Sequence, residues 1–259
     1  MDKILVTGGS GLLGREIVNQ LISEKQNVAI LTTQTHPDVT AGVEVFTGDL
    51  ITGKGLSNAV INTKAIIHCA SNPLNFEETD VLGTQNLVKA IDKHQPPHLI
   101  YVSIVGVDRS NYPYYVAKKQ VEDLISGSGI PFTVLRTTQF HQFVHRLING
   151  FLNTKEKLIQ IPDGMTFQPV ALDEVAKRLV SLSKNKAEGL LPNFGGPEIL
   201  TFEEMFEQYL QVFKSEIDWK TVPLVAPRYE LFRSSVNLCE GNAFGKTTWK
   251  EFLGSLCFP

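Results

Sequence analysis

Cysteine is scarce in this 259-residue sequence: Cys69, Cys239 and Cys257 are widely spaced, odd in number and form no C-x-x-C pair. That pattern excludes a disulfide framework and suits free thiols in a reducing compartment. Long apolar runs are also missing. Those such as Val28-Ala29-Ile30-Leu31 and Leu99-Ile100-Tyr101-Val102 stop at four residues, whereas a bilayer-spanning helix needs about 20. There is no excess of positive charge, because 24 Lys+Arg stand against 27 Asp+Glu for a net charge of −3. This argues against nucleic acid or an anionic membrane as the main partner. At the amino terminus only Ile4-Leu5-Val6 precede Thr7, too little for a signal-peptide core of about 7–15 residues. The expectation is a cytoplasmic chain, monomeric or homodimeric, with neither membrane nor nucleic acid as partner.

What is present is an ordinary globular composition, 42% hydrophobic and 20% charged, over a length that fits one large domain or a domain with an appended lobe. The first half alternates short β-branched runs with helical patterns. Strands are expected at 3–7, 27–32, 43–46, 65–69, 98–103 and 132–135, and helices at 12–23, 55–61, 76–93 and 112–126. The strands are nearly continuous apolar runs, as in a parallel sheet buried on both faces. Successive β-α-β units of this kind predict an α/β, doubly wound parallel sheet. After about residue 150 the alternation weakens, with helical patterns at 172–183 and 202–213. The division expected is a parallel-sheet domain over 1–150 and a C-terminal lobe over 151–259 that contributes a further strand to the sheet.

Between the first strand and first helix lies Thr7-Gly8-Gly9-Ser10-Gly11-Leu12-Leu13-Gly14, spaced G-x-x-G-x-x-G at Gly8, Gly11 and Gly14. The first glycine lets the chain turn sharply, the second lets backbone approach a pyrophosphate, and the third lets helix and sheet pack closely. Backbone N–H groups of Ser10, Leu12 and Leu13 then face phosphate at the helix start. The end of the second strand, Thr32-Thr33-Gln34-Thr35-His36, holds no Asp, Glu, Lys or Arg. Lack of an acid for the ribose 2′-hydroxyl tilts the cofactor toward NADP, with Thr33 beside the ribose and Arg15 able to supply charge; NAD is the alternative. Gly48-Asp49-Leu50 closes the third strand. Asp49 has two readings, a contact to the adenine amino group or a turn or helix cap, with Leu50 beside it. Ala70 and Ser71, beyond the fourth strand, are expected to line the cofactor, because ligands of such sheets sit outside the carboxyl ends of the strands.

Together with Ser103-Ile104-Val105-Gly106, Tyr114-x-x-x-Lys118 and Leu135-Arg136-Thr137-Thr138-Gln139-Phe140-His141, these residues resemble the atypical short-chain dehydrogenase/reductases, and among them the NmrA-like NAD(P)-binding group. The resemblance is strongest over residues 3 to 145, with echoes at Gln168-Pro169-Val170, Gly196-Pro197-Glu198 and Gly245-Lys246-Thr247-Thr248-Trp249. It implies a Rossmann-type sheet and a small C-terminal lobe covering the nicotinamide and substrate. It also implies a catalytic Ser103, Tyr114 and Lys118, with Lys118 binding ribose as well, and Gln139 and His141 toward the substrate. Four residues apart on a helix, Tyr114 and Lys118 share a face. A nearby ammonium would pull the phenol from about 10 toward working pH, so that it exchanges a proton with a carbonyl or alcohol oxygen. Ser103 would hydrogen-bond the same oxygen.

Other residues carry competing readings. Tyr115 with Lys119 is a second register for the pair, although Glu122, four residues after Lys118, favours the first. His141 and His145 have i, i+4 spacing, but Gln142 stands where a H-E-x-x-H site needs glutamate, so no metal site is expected. His141 then lines the pocket or is a partly buried structural histidine. Cys69 reads as packing, Arg136 as a salt bridge or an anion contact, and Trp219 and Trp249 as packing anchors. The function expected is NAD(P)H-dependent hydride transfer to or from a small carbonyl, quinone or related conjugated substrate. The alternative is an NmrA-like dinucleotide-binding regulator or redox sensor without turnover, and behind it a sugar-nucleotide epimerase.

Overall fold

The alternation of apolar runs and helical patterns becomes, in the computed structural model, β1 (Lys3–Thr7), α1 (Leu12–Ser23), β2 (Val28–Thr32), β3 (Glu44–Thr47), α2 (Leu56–Val60), β4 (Thr63–His68), α3 (Gly83–Ala90), β5 (His98–Ile104), α4 (Pro113–Ser126) and β6 (Phe132–Thr137). There follow α5 (His141–Leu152), β7 (Leu158–Pro162), β8 (Thr166–Phe167), α6 (Leu172–Leu182), β9 (Gly189–Leu190), β10 (Leu200–Thr201), α7 (Phe202–Val212), β11 (Asp218–Val222), α8 (Pro227–Arg233) and α9 (Trp249–Cys257). The described residues are 3–35, 37–154, 156–239, 241 and 243–257.

The main sheet has seven strands in the order β3-β2-β1-β4-β5-β6-β9. Its pairings β1–β2, β1–β4, β2–β3, β4–β5 and β6–β9 are all parallel. The order makes the sheet doubly wound: the chain runs outward from β1 to β3, then returns to the other side of β1 with β4. Every residue of β1 and β2 is buried, which is why both read as unbroken apolar runs. Leu5, Ala29, Ile66, Leu99 and Tyr101 from the strands pack with Leu87 of α3 and Val121 and Ile125 of α4 in one core.

One departure from the sequence pattern matters for the site. The helical stretch expected over 76–93 is not continuous. It opens with a six-residue π-helical turn, Glu77–Leu82, before α3. Such a turn displaces the residues it contains from regular helical phase and is frequent at functional sites.

Contacts divide the chain into two compact units. One comprises Met1–Ser103, Pro113–Arg136 and Asp173–Pro192; the other comprises Ile104–Tyr112, Thr137–Leu172 and Asn193–Pro259. The second has an aromatic core in which Phe167 and Phe232 lie 4.6 Å apart between ring centroids, with Phe202, Phe206 and Trp249 fully buried. Small sheets pair β8 with β10 and β7 with β11. Trp249 anchors α9 as the sequence suggests, its indole N–H donating to the Met205 carbonyl at 3.1 Å. Among the described residues no helix is long and apolar enough to cross a membrane.

In the first unit, Arg136 at the end of β6 grips Glu122 of α4 with two hydrogen bonds, Nε–Oε1 at 2.9 Å and Nη2–Oε2 at 2.7 Å. Both side chains are buried, so removing one strands the other's charge. Arg136→Met is expected to lower unfolding free energy by about 3–5 kcal/mol, and Arg136→Met with Glu122→Leu to recover most of the loss. Urea unfolding of the two variants checks this.

Candidate functional site

Chain order reverses at β1, between β2 and β4, and in open α/β sheets a ligand crevice forms beyond the carboxyl ends of the strands at such a point. The glycine loop leaves β1 there. Gly8 has φ +69°, and a Cβ on it would sit 2.7 Å from the Ala70 backbone just past β4. A Cβ on Gly14 would fall 2.1 Å from the Gly8 carbonyl oxygen, so that glycine closes α1 onto the loop. Among the described residues the one atom near a Cβ on Gly11 would be the Gly8 oxygen, at 3.2 Å, leaving that side of the backbone open. No side chain caps α1 at Gly11, and the first-turn N–H groups of a helix have no partner within it. The loop therefore fits a pyrophosphate: an accessible backbone at Gly11, a positive helix end, and close-packed glycines behind both. Leu12 is half exposed at this end, whereas Leu13 turns into the core.

Beside the loop, a cavity of about 210 Å³ is lined by Gly9, Arg15, Val18, Asn19, Asp38, Val39 and Thr40. Arg15 Nε donates to the Ser10 carbonyl at 2.9 Å, and its guanidinium lies 3.9 Å from Asp38. The acid that the sequence reading sought between Thr32 and His36 thus stands two residues further on. Thr33 is exposed beyond β2, and His36 lies outside the described residues. Asp49 takes a turn role, its carboxylate accepting from Ile51 N at 2.8 Å and Thr52 Oγ1 at 3.2 Å. Leu50 is a core residue.

Tyr114 and Lys118 share a face of α4, and both reach Asp80 of the π-helical turn. Lys118 Nζ lies 3.6 Å from Asp80 Oδ1, donates to the Val102 carbonyl at 2.9 Å, and stands 4.4 Å over the Tyr101 ring. Tyr114 Oη is 2.7 Å from Ser71 Oγ, and Ser71 Oγ donates to Asp80 Oδ1 at 2.6 Å. Asp80 Oδ2 accepts from the Asn72 N–H at 3.0 Å. Asp80 and Lys118 are sealed at 1% and 4% exposure, while Ser71 is exposed and Tyr114 half-buried. The other register is absent as a pair: Tyr115 is buried and Lys119 bonds Asp123.

This arrangement corrects the expected acidity of the phenol. Burial, and next the Asp80 carboxylate, push Tyr114 up to about 12, with the Ser71 hydrogen bond pulling the other way. Burial lowers Lys118, while Asp80 draws it back toward the charged form. The ammonium is matched to the carboxylate rather than left to favour tyrosinate.

Asp80 was missed by the sequence reading, although a signal exists. Asp80, Thr84, Leu87 and Ile91 follow one another at intervals of four, three and four residues, and all four are buried, so the acid lies on the apolar face. Its backbone is pinned as well. Thr84 Oγ1 donates to the Asp80 carbonyl, so His68 Nε2–H donates to Thr84 at 2.9 Å and Nδ1 accepts from Thr7 at 2.6 Å. Burial and then the Lys118 charge lower His68 to about 3. Cys69 donates to the Thr7 carbonyl, and burial raises its thiol to about 12, which suits packing.

The remaining candidates are placed as follows. Ser103, near the end of β5, is buried, and among the described residues its hydroxyl has no hydrogen-bond partner. Gln139 and His141 belong to the second unit. Gln139 accepts from Asn237 at 3.1 Å. His141 is fully buried and stacked 5.0 Å from the Phe252 ring, and among the described residues neither ring nitrogen has a hydrogen-bond partner. His145 meets Asn149 and the Tyr209 ring. Among the described residues no three metal-ligating side chains gather.

Comparison with known proteins matches residues 8–186 to a family described as NAD(P)H-binding. A decarboxylating sterol-4-alpha-carboxylate 3-dehydrogenase of Candida albicans is 30% identical over 125 residues, 41% of this chain and 35% of that one. A photosystem II assembly factor of Synechocystis sp. is 26% identical over 148 residues, 54% of this chain and 45% of that one. The chain thus spans less than half the length of these relatives. Among solved structures, a nucleoside-diphosphate-sugar epimerase from Staphylococcus aureus superposes with a TM-score of 0.80 at 20% identity, covering 97% of this chain and 99% of that one.

The neutral His68 makes stability depend on pH. Its folded value is depressed to about 3, against about 6.5 when unfolded. Between those values the unfolded chain binds more protons, so stability is lost as pH falls below about 6.5. His68 should account for about 3 kcal/mol of the loss between pH 6.5 and 4, at about 1.4 kcal/mol per unit. Denaturant unfolding across that range should show a correspondingly smaller loss in His68→Gln.

Proposed function

The chain belongs to the NAD(P)H-binding family, and on that premise we propose that it is an oxidoreductase. It would move hydride between a nicotinamide and a small carbonyl, quinone or related conjugated substrate. The observation that carries this reading is the Tyr114–Ser71–Asp80–Lys118 cluster, whose Ser71 follows the Ala70 backbone on which Gly8 of the phosphate loop packs. A bound nicotinamide supplies a site that gives or takes hydride at carbon. The residues of this chain do the rest. Gly8, Ser10, Gly11, Leu12, Leu13 and Gly14 hold the pyrophosphate. Tyr114 exchanges the proton at the substrate oxygen, Lys118 fixes the electrostatics of the cluster and reaches the ribose, and Ser103 turns its unpartnered hydroxyl to the same oxygen. Thr33, Asp49, Leu50, Ala70 and Ser71 border the dinucleotide.

A second reading, a dinucleotide-responsive regulator without turnover, is favoured by one observation: Tyr114 is pushed up to about 12, away from working pH. Tyr114→Phe decides between the two. The variant should bind NADPH, followed by its fluorescence, within about two-fold of the parent, yet lose roughly 10²-fold or more in kcat on whichever carbonyl or quinone of a broad panel the parent reduces. Full turnover by the variant would reject the proton role, and an inactive parent that still binds NADPH would favour the regulator. A sugar-nucleotide epimerase would instead retain NAD through purification.

NADP is the cofactor form this reading prefers, with Arg15 facing the 2′-phosphate and Asp38 opposing it. NADPH should bind more tightly than NADH. Arg15→Ala should narrow that gap and Asp38→Ala widen it, by up to about tenfold each for a charge-assisted contact. Fluorescence titration of both dinucleotides measures it.

A further inference from the structure

A carboxylate sealed behind the tyrosine is the feature that the proposed chemistry does not by itself require. Ser71 has a single hydroxyl proton and two short contacts, to Asp80 Oδ1 at 2.6 Å and to Tyr114 Oη at 2.7 Å. An ionised carboxylate only accepts hydrogen bonds. Ser71 must therefore donate to Asp80, and Tyr114 must donate to Ser71. We propose that Asp80 is a positioning residue for Tyr114: acting through Ser71, it holds the phenol proton inward and joins it to a buried carboxylate. The outward side of Tyr114 Oη is then a lone pair, which meets a hydroxyl rather than a carbonyl oxygen.

The resting site is set to accept a proton from an alcohol. When that proton arrives at Tyr114 Oη, the phenol proton passes to Ser71 Oγ and the Ser71 proton to Asp80 Oδ1. Only O–H bonds break and form, and the charge lost by Asp80 reappears on the substrate oxygen. The reverse sequence delivers a proton outward. The groups that bear on Asp80 are Lys118 and Tyr114 from α4, Ser71 and the Asn72 N–H from the segment after β4, Tyr101 from β5 beneath Lys118, and, further off, Glu122, which is paired with Arg136. His68, joined through Thr84 to the Asp80 carbonyl, is held neutral by burial and then by the Lys118 charge. Lys118 is paired with the carboxylate, which accepts from Ser71 and Asn72, so the chain of hydrogen bonds has one direction. An amide at position 80 offers both a donor and an acceptor, and that direction is lost.

The inference rests on the oxidoreductase reading for its place in catalysis, but its test needs no substrate. Tyr114 ionisation is read from tyrosinate absorbance during alkaline titration, as each protein minus its own Tyr114→Phe counterpart. Asp80→Asn removes the opposing charge and should shift Tyr114 downward by about one unit or more. Ser71→Ala keeps the carboxylate but removes the acceptor of the phenol proton, and should shift Tyr114 downward as well, whereas Ser71→Thr keeps the hydroxyl and should hold it near the parent value. A cluster merely loosened and opened to water would lower Tyr114 in Ser71→Thr along with the other two, and that result, or no shift in Asp80→Asn and Ser71→Ala, overturns the proposal. If Asp80→Asn does not fold, the Ser71 variants decide alone: a fall in Ser71→Ala that Ser71→Thr does not share supports the coupling, and an unchanged value in Ser71→Ala or an equal fall in both overturns it. NADPH fluorescence titration of the same proteins reads the other claim separately. Loss of dinucleotide binding by the parent would sink the oxidoreductase reading and leave the Tyr114 shifts as the measure of Asp80.

Discussion

The ion pair between Asp80 and Lys118 is the constraint on which the rest of the site depends. Both groups are out of water, and a buried charge is tolerated only when paired and hydrogen-bonded. Every polar neighbour serves that condition. The carboxylate receives the Ser71 hydroxyl and the Asn72 N–H, and the ammonium has the Val102 carbonyl and the Tyr101 ring. The backbone of Asp80 is held in turn by Thr84, and Thr84 by His68 and Thr7. β1, β4, β5, α3 and α4 all contribute a group, so the geometry at Tyr114 is a property of the whole sheet edge.

That pair also decides what kind of tyrosine the site contains. A lysine four residues along a helix would by itself make a phenol more acidic. Here the carboxylate answers the ammonium, and burial does the rest, so Tyr114 rests well on the protonated side. The site is overall balanced in charge, consistent with a chain whose net charge is only −3.

Much of the sheet was legible in the residues. Strand 3–7 and helix 12–23 have the bounds read from sequence, because the apolar run ends at Thr7 and a glycine loop separates it from an unmistakable helical period. The Tyr114–Lys118 pairing was legible for the same reason, since helical spacing alone puts the two on one face. Asp80 was not. Reading 76–93 as one regular helix treats an acid near its beginning as a favourable first-turn charge, and a π-helical turn leaves no composition signature. Asp38 escaped because the ribose position was sought within four residues of Thr32, whereas the chain after β2 folds back on α1 before its acid meets Arg15. Beyond residue 150 the strands are two to five residues long, too short for periodicity to announce them.

Local pattern alone determined that this chain builds a doubly wound sheet with a phosphate loop at its first turn. Those features depend on residue periods and on glycine's lack of a side chain, which operate between near neighbours. Only the tertiary structure decided which charge faces Tyr114, which way its proton points, and that His68 is neutral. Those properties arise from desolvation and from contacts between residues 9 to 61 positions apart, and no spacing rule carries them.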